Sequence, residues 1–234
     1  MKLALVGHGA MGQLIENLAR AAGDEIGFKV TSRDASQNAA QLAASLSGHD
    51  VAIDFSVGPA VLRNIEACAR AGVPLVEGTT GWGDKEAEAR RIIEEYSGTL
   101  VFGANFSVGV NVFYRMVAHA AKLMAELDQY QAFIEEEHHS RKRDAPSGTA
   151  VKLKSLMAEH ITAEIPITSV RAGYIPGTHR IAFDSAADQI MLTHTARSRE
   201  GFAAGALLAA RWIVGRKGVF EFSEVVDEII GSGE

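Results

Sequence analysis

The run Leu3-Ala4-Leu5-Val6 passes directly into Gly7-His8-Gly9-Ala10-Met11-Gly12, and the residues that follow have the spacing of an amphipathic helix. Four consecutive apolar residues suit a strand buried on both faces. Met11, Leu14, Ile15, Leu18 and Ala22 then fall on one stripe of a helix read from Met11 to Ala22. A strand, a GxGxxG turn and a helix, in that order, form the opening unit of a dinucleotide-binding sheet. The first glycine makes the tight turn. The second lets backbone approach a pyrophosphate, whose charge the helix N-terminus stabilises. The third lets the helix lie close on the strand. Gly7, His8, Gly9, Ala10, Met11 and Gly12 are therefore candidate cofactor contacts. No GxxxxGK[ST] occurs in the chain, so a P-loop is excluded.

The alternation continues. Strands are expected at Phe28–Thr31, Val51–Phe55, from Pro74 to Glu77, and at Leu100–Phe102. Helices are expected between them at Gln37–Leu46, from Pro59 to Ala71, and at Asp84–Tyr96, with Pro59 in a first turn and Gly72 as the C-cap. This pattern predicts an α/β fold with a doubly wound parallel sheet of Rossmann type. It then changes. A long helix at Val108–Leu127, a strand at Gln131–Glu136 and a helix at Ser147–His160 precede strand-like stretches at Ile165–Arg171, Arg180–Phe183 and Gln189–Thr195. That order predicts a second, α+β domain. A helix at Gly201–Val214 and a short apolar tail at Val219–Ile230 follow, and Val219-Phe220-Glu221-Phe222 has the composition of an added strand.

Composition narrows the function. The formal net charge of -6 leaves no general basic face for nucleic acid. The single cysteine, Cys68, excludes a disulfide framework and a cysteine zinc site within one chain, and its helical setting reads as a buried small residue. Only four apolar residues follow Met1-Lys2 before glycine, too few for a signal peptide. No run approaches the roughly 20 apolar residues of a membrane span. The expectation is a cytoplasmic protein with no membrane partner.

The end of the second strand reports ribose preference, because an acid there binds the 2′-hydroxyl of NAD. Here the residues are Thr31-Ser32-Arg33-Asp34. Ser32 can hydrogen-bond and Arg33 can pair with a 2′-phosphate, which favours NADPH. Asp34 argues the other way, if it turns to the ribose. Two further loops, Gly78-Thr79-Thr80-Gly81 and Gly103-Ala104-Asn105-Phe106-Ser107, lie at carboxyl ends of expected strands, the edge where such sheets bind ligands. Phe106 reads either as a platform for the nicotinamide or as core.

The densest polar cluster runs from Glu135 to Ala150: Glu-Glu-Glu-His-His-Ser-Arg-Lys-Arg-Asp-Ala-Pro-Ser-Gly-Thr-Ala. It leads from a strand into a helix start, with Asp144 or Ser147 as N-cap. Pro146 suits the first turn if the cap is Asp144 or Ala145. The N–H groups of Ser147, Gly148 and Thr149 then face an anion, and Lys142 adds charge. Histidines supply protons near neutral pH. Adjacent histidines on a strand point to opposite faces, so His138 and His139 do not share a metal, and no HExxH occurs. The expectation is no metal. Glu135 to Glu137 read as strand-face and supporting residues.

The string His138 to Ala150 resembles the signature of the dihydrodipicolinate reductase (4-hydroxy-tetrahydrodipicolinate reductase) family. So do Asn105-Phe106-Ser107-Val108-Gly109-Val110-Asn111, Gly78-Thr79-Thr80-Gly81 and Asp54-Phe55-Ser56. The resemblance covers essentially the whole chain. It implies NAD(P)H-dependent reduction of a cyclic dicarboxylate, 4-hydroxy-tetrahydrodipicolinate, in diaminopimelate and lysine biosynthesis. It implies a dinucleotide-binding domain at 1–106 completed by 199–234. It also implies a substrate-binding and oligomerisation domain with a mixed sheet at 107–198, and a homotetramer. By position, His138 and Lys142 are the implied catalytic residues. His139, Gly148 and Thr149 are the implied substrate contacts, and the helix-start reading adds Ser147. The implied cofactor contacts are Gly7 to Gly12, Arg33, Gly78, Thr79, Thr80, Gly103, Ala104, Asn105 and Phe106, to which the strand-end reading adds Ser32. The first glycine loop is one residue shorter than is frequent in that family, and Ser32 stands where an acid is frequent. Both departures bear on cofactor preference, with NADPH expected and NADH usable.

Overall fold

The computed structural model describes residues 1–231; the end of the tail, 232–234, lies outside the described residues. The chain divides into two units, Met1–Val108 with the described residues from Glu200 on, and Gly109–Arg199.

In the first unit, β1 (Lys2–Val6), β2 (Glu25–Val30), β3 (Val51–Asp54), β4 (Leu75–Glu77), β5 (Thr99–Phe102) and β10 (Gly218–Glu221) form one sheet in the order β10-β5-β4-β3-β1-β2. Every pairing is parallel. The central strands β3 and β4 are buried throughout, as parallel strands covered on both faces must be. One cover is α2 (Ala39–Leu46), α3 (Val61–Ala71) and α4 (Glu86–Glu95). Leu42, Leu46, Ile65, Cys68 and Ile92 from these helices pack with Ala4, Val6, Ala52, Leu75 and Leu100. On the other face α1 (Ala10–Ala21) and α7 (Glu200–Ile213) pack together, and α7 also contacts β3, β4 and β5. Gly205 lets α7 approach this closely, since a Cβ there would lie 1.7 Å from the Phe106 carbonyl oxygen. The winding reverses between β1 and β3, the position where such sheets open a crevice.

Three expectations are adjusted. β2 begins earlier and ends at Val30, because Thr31 leaves the ladder to cap the 3-10 turn Ser32–Asp34. Pro59 sits in a separate 3-10 turn, Gly58–Ala60, ahead of α3. The added strand offered by Val219–Phe222 is present but runs Gly218–Glu221 as β10, paired with β5, and Phe222 opens α8 (Phe222–Gly231).

The second unit is a four-stranded mixed sheet in the order β7-β6-β8-β9: β6 (Gln131–His138), β7 (Ile167–Arg171), β8 (Thr178–Asp184) and β9 (Gln189–Thr195). β6 is parallel to β7 and antiparallel to β8. Helices α5 (Val108–Met124) and α6 (Gly148–Ala158) supply Phe113, Val117, Leu153 and Met157, which pack on Ile134, Ile181 and Phe183. β6 runs two residues past its expected end. Pairing of Glu137 with Val170 and His138 with Arg171 carries the ladder on to His138.

Candidate active site

The glycine loop of the first unit is built as its spacing requires. Gly7 has φ +85°, and a Cβ on it would lie 2.6 Å from the Phe55 carbonyl oxygen. A Cβ on Gly12 would lie 2.2 Å from the Gly7 carbonyl oxygen, so only glycine lets α1 start there. Nothing lies within 4 Å of a Cβ on Gly9, which leaves open space at the tip. Gly9 is also the N-cap of α1. It gives the helix no side-chain cap and the first turn holds no acid, so the first amides of α1 suit a pyrophosphate. The His8 ring bonds Glu16 at 2.6 Å, and Lys29 and Arg20 also reach Glu16. These bonds, led by that of His8 and opposed by burial, hold the Glu16 carboxyl down at about 2.

At the end of β2, Asp34 is already engaged. One oxygen accepts the Thr31 N–H at 2.8 Å and the other accepts from Gln37 at 3.2 Å. Ser32 and Arg33 are exposed beside it. In the loop after β4, Thr80 is exposed, but Thr79 is buried and its hydroxyl accepts the Ser56 N–H at 3.0 Å while donating to Asp54. Thr79 therefore shapes the loop from inside. The Phe106 ring is 2% exposed and packs against Phe222 at 4.6 Å and Phe55 at 6.0 Å between centroids. Of the two sequence readings of Phe106, its ring has the environment of core; Ala104 and the half-buried Gly103 and Asn105 are the outward part of that loop.

Below these loops lies a buried pair that the sequence reading missed. Asp54 and Glu77 are opposite one another at the ends of β3 and β4, and neither side chain meets solvent. Asp54 accepts from Asn64 at 2.7 Å and from the Ser56 N–H at 2.8 Å, and Glu77 accepts the Thr79 N–H at 2.7 Å. Among the described residues no cationic side chain bonds either carboxyl. Burial pushes both up, Glu77 well above its ordinary value because the Asp54 charge adds to the effect.

The second unit brings the proton-active groups together. His138 ends β6 and is buried, and its Nδ1 bonds the carboxylate of Glu136 two residues back on the same strand face. The other Glu136 oxygen accepts from Arg171 at the end of β7 and from the Ser147 N–H at 3.3 Å. Burial raises the Glu136 carboxyl, but the hydrogen bonds from Arg171, Ser169 and His138 outweigh it and hold the group at about 2. His138 is pushed below its ordinary value, first by burial and then by Lys142 and Arg171, with Glu136 opposing them. His179 of β8 lies 5.2 Å from the His138 ring, and its Nε2 is 3.1 Å from the Ser147 hydroxyl. Burial, with His138 next in effect, lowers His179 to about 4, so it is neutral at neutral pH. Glu136, His138 and His179 are close enough to share a cation. The Arg171 guanidinium already occupies the cationic place on Glu136.

Ser147 is the N-cap of α6, its hydroxyl accepting the Ala150 N–H at 3.2 Å. Pro146 therefore precedes the cap instead of entering the first turn. The expectation of three free amides is also corrected. Because β6 brings Glu136 beneath the helix start, the Ser147 N–H is consumed by it. Gly148 and Thr149 remain as the first amides of α6, with nothing within 4 Å of a Cβ on Gly148. Lys142 stands in an ion pair with Asp144 at 2.8 Å. His139 leaves the strand, its N–H bonded to the Ile175 carbonyl oxygen at 2.8 Å.

Comparison with known proteins identifies the architecture. The family model described as dihydrodipicolinate reductase, N-terminus, matches residues 1–106, and that of the C-terminus matches 109–226. The chain belongs to the dihydrodipicolinate reductase family. Among curated members of this reductase family, the 4-hydroxy-tetrahydrodipicolinate reductase of Christiangramia forsetii is 38% identical, over 98% of this chain and 99% of that one. The enzyme of Anaeromyxobacter sp. strain Fw109-5 is 39% identical over 79% of this chain and 76% of its own. In fold, the chain resembles the dipicolinate-bound dihydrodipicolinate reductase of Paenisporosarcina sp. TG-14, with a TM-score of 0.77 at 21% identity over 94% of this chain and 97% of that one. No helix among the described residues is long and apolar enough to cross a membrane.

Glu136 was read only as one of three supporting strand glutamates, and Arg171 and His179 were not singled out in the sequence. Glu136 carried a usable signal, since it stands two residues before His138 on a strand. Arg171 and His179 carried none, because only the pairing of β6 with β7 and β8 brings them in.

Proposed function

We propose that this chain reduces 4-hydroxy-tetrahydrodipicolinate to tetrahydrodipicolinate at the expense of NAD(P)H, with His138 as the proton donor. The balance is one substrate, one reduced cofactor and one proton giving product, oxidised cofactor and water. The observation that carries the reading is the stretch from His138 to Thr149: a buried imidazole, a lysine and an open helix start follow one another in a chain matched along its length by this family.

The cofactor fits the first unit, where Gly9 leaves the tip of the turn open and α1 begins without a side-chain cap. Gly7 to Gly12 would hold the pyrophosphate, and the outward residues of the 78–80 and 103–106 loops would line the nicotinamide end. A bound nicotinamide supplies hydride to ring carbon C4. The Gly148 and Thr149 amides hold one substrate carboxylate at the α6 N-terminus. Lys142, released from Asp144, orients the substrate and stabilises developing charge. His139, at the edge of the same stretch, adds a substrate contact. His138 delivers a proton from Nε2, because Nδ1 is bound to Glu136. The negative charge of the arriving dicarboxylate opposes the depression of the His138 pKa by Lys142 and Arg171, which favours the protonated donor in the complex.

NADPH is the preferred cofactor in this reading. Asp34 is tied to Thr31 and Gln37, which leaves exposed Ser32 and Arg33 to meet a 2′-phosphate. The homotetramer belongs to the same proposal; β9, an edge strand, leaves Ile190 and Met191 exposed. Steady-state oxidation of NADPH and NADH, followed with enzymatically generated substrate, tests both parts. The expected result is turnover with a lower KM for NADPH, a preference reduced by Arg33→Ala, and competitive inhibition by dipicolinate. Absence of turnover would sink the activity. An NADH preference abolished by Asp34→Ala would reverse the cofactor assignment.

A further inference from the structure

The carboxylate of Glu136 touches three things that the reaction needs in register. One oxygen bonds His138 Nδ1, and the other accepts from the Ser147 N–H at the α6 start and from Arg171. Glu136 is fully buried, so water does not compete for these bonds. Resting on the function proposed above, we infer that Glu136 is the positioning residue of this site: it fixes the His138 ring with its proton on Nδ1 and ties that ring to the helix start that receives the substrate carboxylate.

The tautomer follows from charge. An ionised carboxylate only accepts hydrogen bonds, so the His138 nitrogen facing it carries hydrogen. Nε2 is then the nitrogen that gains and gives the working proton. The fold keeps that nitrogen clear: position 177 is glycine at φ +149°, and a Cβ there would lie 3.1 Å from Nε2. Arg171 keeps Glu136 ionised, and so acts on His138 through Glu136. His179 adds no charge at neutral pH; it buttresses the cap through the Ser147 hydroxyl at 3.1 Å.

The charged and titratable groups around His138 are Glu136 on its own strand, Lys142 in the following segment, Arg171 on β7 and His179 on β8. Only Glu136 favours the imidazolium. Its removal therefore lowers the His138 pKa, and the fall of kcat/KM with rising pH moves to lower pH.

The test is Glu136→Gln in the full chain, with three readouts. We expect kcat to fall at least about tenfold, as when the anion behind a catalytic imidazole is neutralised. The alkaline limb of the pH profile should move down by about one unit or more. Nitrogen-15 spectra of histidine-labelled protein should show His138 protonated on Nδ1 in the parent at high pH, and a mixture of tautomers in the variant. Cofactor Kd should not change. Glu136→Gln leaves Arg171 without its counter-ion, so the pair Glu136→Gln with Arg171→Met is made as well, and it should show the same loss of kcat and of the tautomer. A folded variant of either kind with parental kcat and the parental tautomer overturns the inference. If the parent turns over and His138→Ala does not, that failure belongs to Glu136 alone. If the parent does not turn over, the functional reading fails, and the tautomer in the spectra still decides the role of Glu136.

Discussion

Two buried carboxylate sites lie at strand ends in this chain, and their surroundings push them in opposite directions. Glu136, at the end of β6, has Arg171 and a histidine as partners and is held ionised at about 2. Asp54 and Glu77, at the ends of β3 and β4, have amide and hydroxyl partners and each other, and burial drives both upward. Depth of burial is therefore a poor guide to charge. The cation decides: the guanidinium beside Glu136 favours its charged form and holds it against the His138 ring, whereas Glu77, with none, is pushed towards its neutral form and braces the Gly78–Thr80 loop through the Thr79 N–H.

The largest effect should come from breaking the charged site. Arg171→Met leaves Glu136 buried without its cation, and removing one partner of a buried pair costs about 3–5 kcal/mol. Thermal or urea unfolding at neutral pH should show that loss, and unfolding indistinguishable from the parent would show that Glu136 does not depend on Arg171. The parental ion pair has a pH signature. The folded pKa of Glu136 is depressed, so its contribution is complete above the ordinary 4.5 and is lost as pH falls towards about 2.

The smallest effect should come from the site without a cation. Glu77→Gln removes a charge that burial already disfavours and keeps an oxygen to accept the Thr79 N–H, and should cost less than about 1 kcal/mol near pH 5. The sign with pH is opposite to that of Glu136. Glu77 has a raised folded pKa, so its favourable contribution is complete below the ordinary 4.5 and declines as pH rises above it. The stability gap between parent and Glu77→Gln should narrow or reverse between pH 5 and pH 8. A gap that widens with pH would mean that Glu77 is ionised in the folded protein.

The same contrast explains what could be read from the sequence. The glycine loop is contiguous: Gly7, Gly9 and Gly12 act through backbone and space, and their spacing alone announces a turn, an open tip and a close helix. The start of α6 was legible for the same reason, down to Ser147 as one of two candidate caps. The state of Ser147 was not legible, because its N–H is taken by Glu136, eleven residues away across a strand end. Arg171 and His179 enter only through strand pairing, 35 and 32 residues from their respective partners Glu136 and Ser147. The Asp54–Glu77 pair depends on the register of two parallel strands separated by a whole helix. Local motifs reveal groups that work through their own backbone; groups that set the charge of a buried site come from elsewhere in the chain.

The most direct test of the central claim is the kinetic behaviour of His138→Ala on 4-hydroxy-tetrahydrodipicolinate, with cofactor binding measured separately by fluorescence. Loss of a proton donor should lower kcat by about 100-fold or more, while the NADPH Kd stays at the parental value. A variant that keeps parental kcat would contradict the assignment of His138, and with it the reason for a buried, ionised Glu136 behind it.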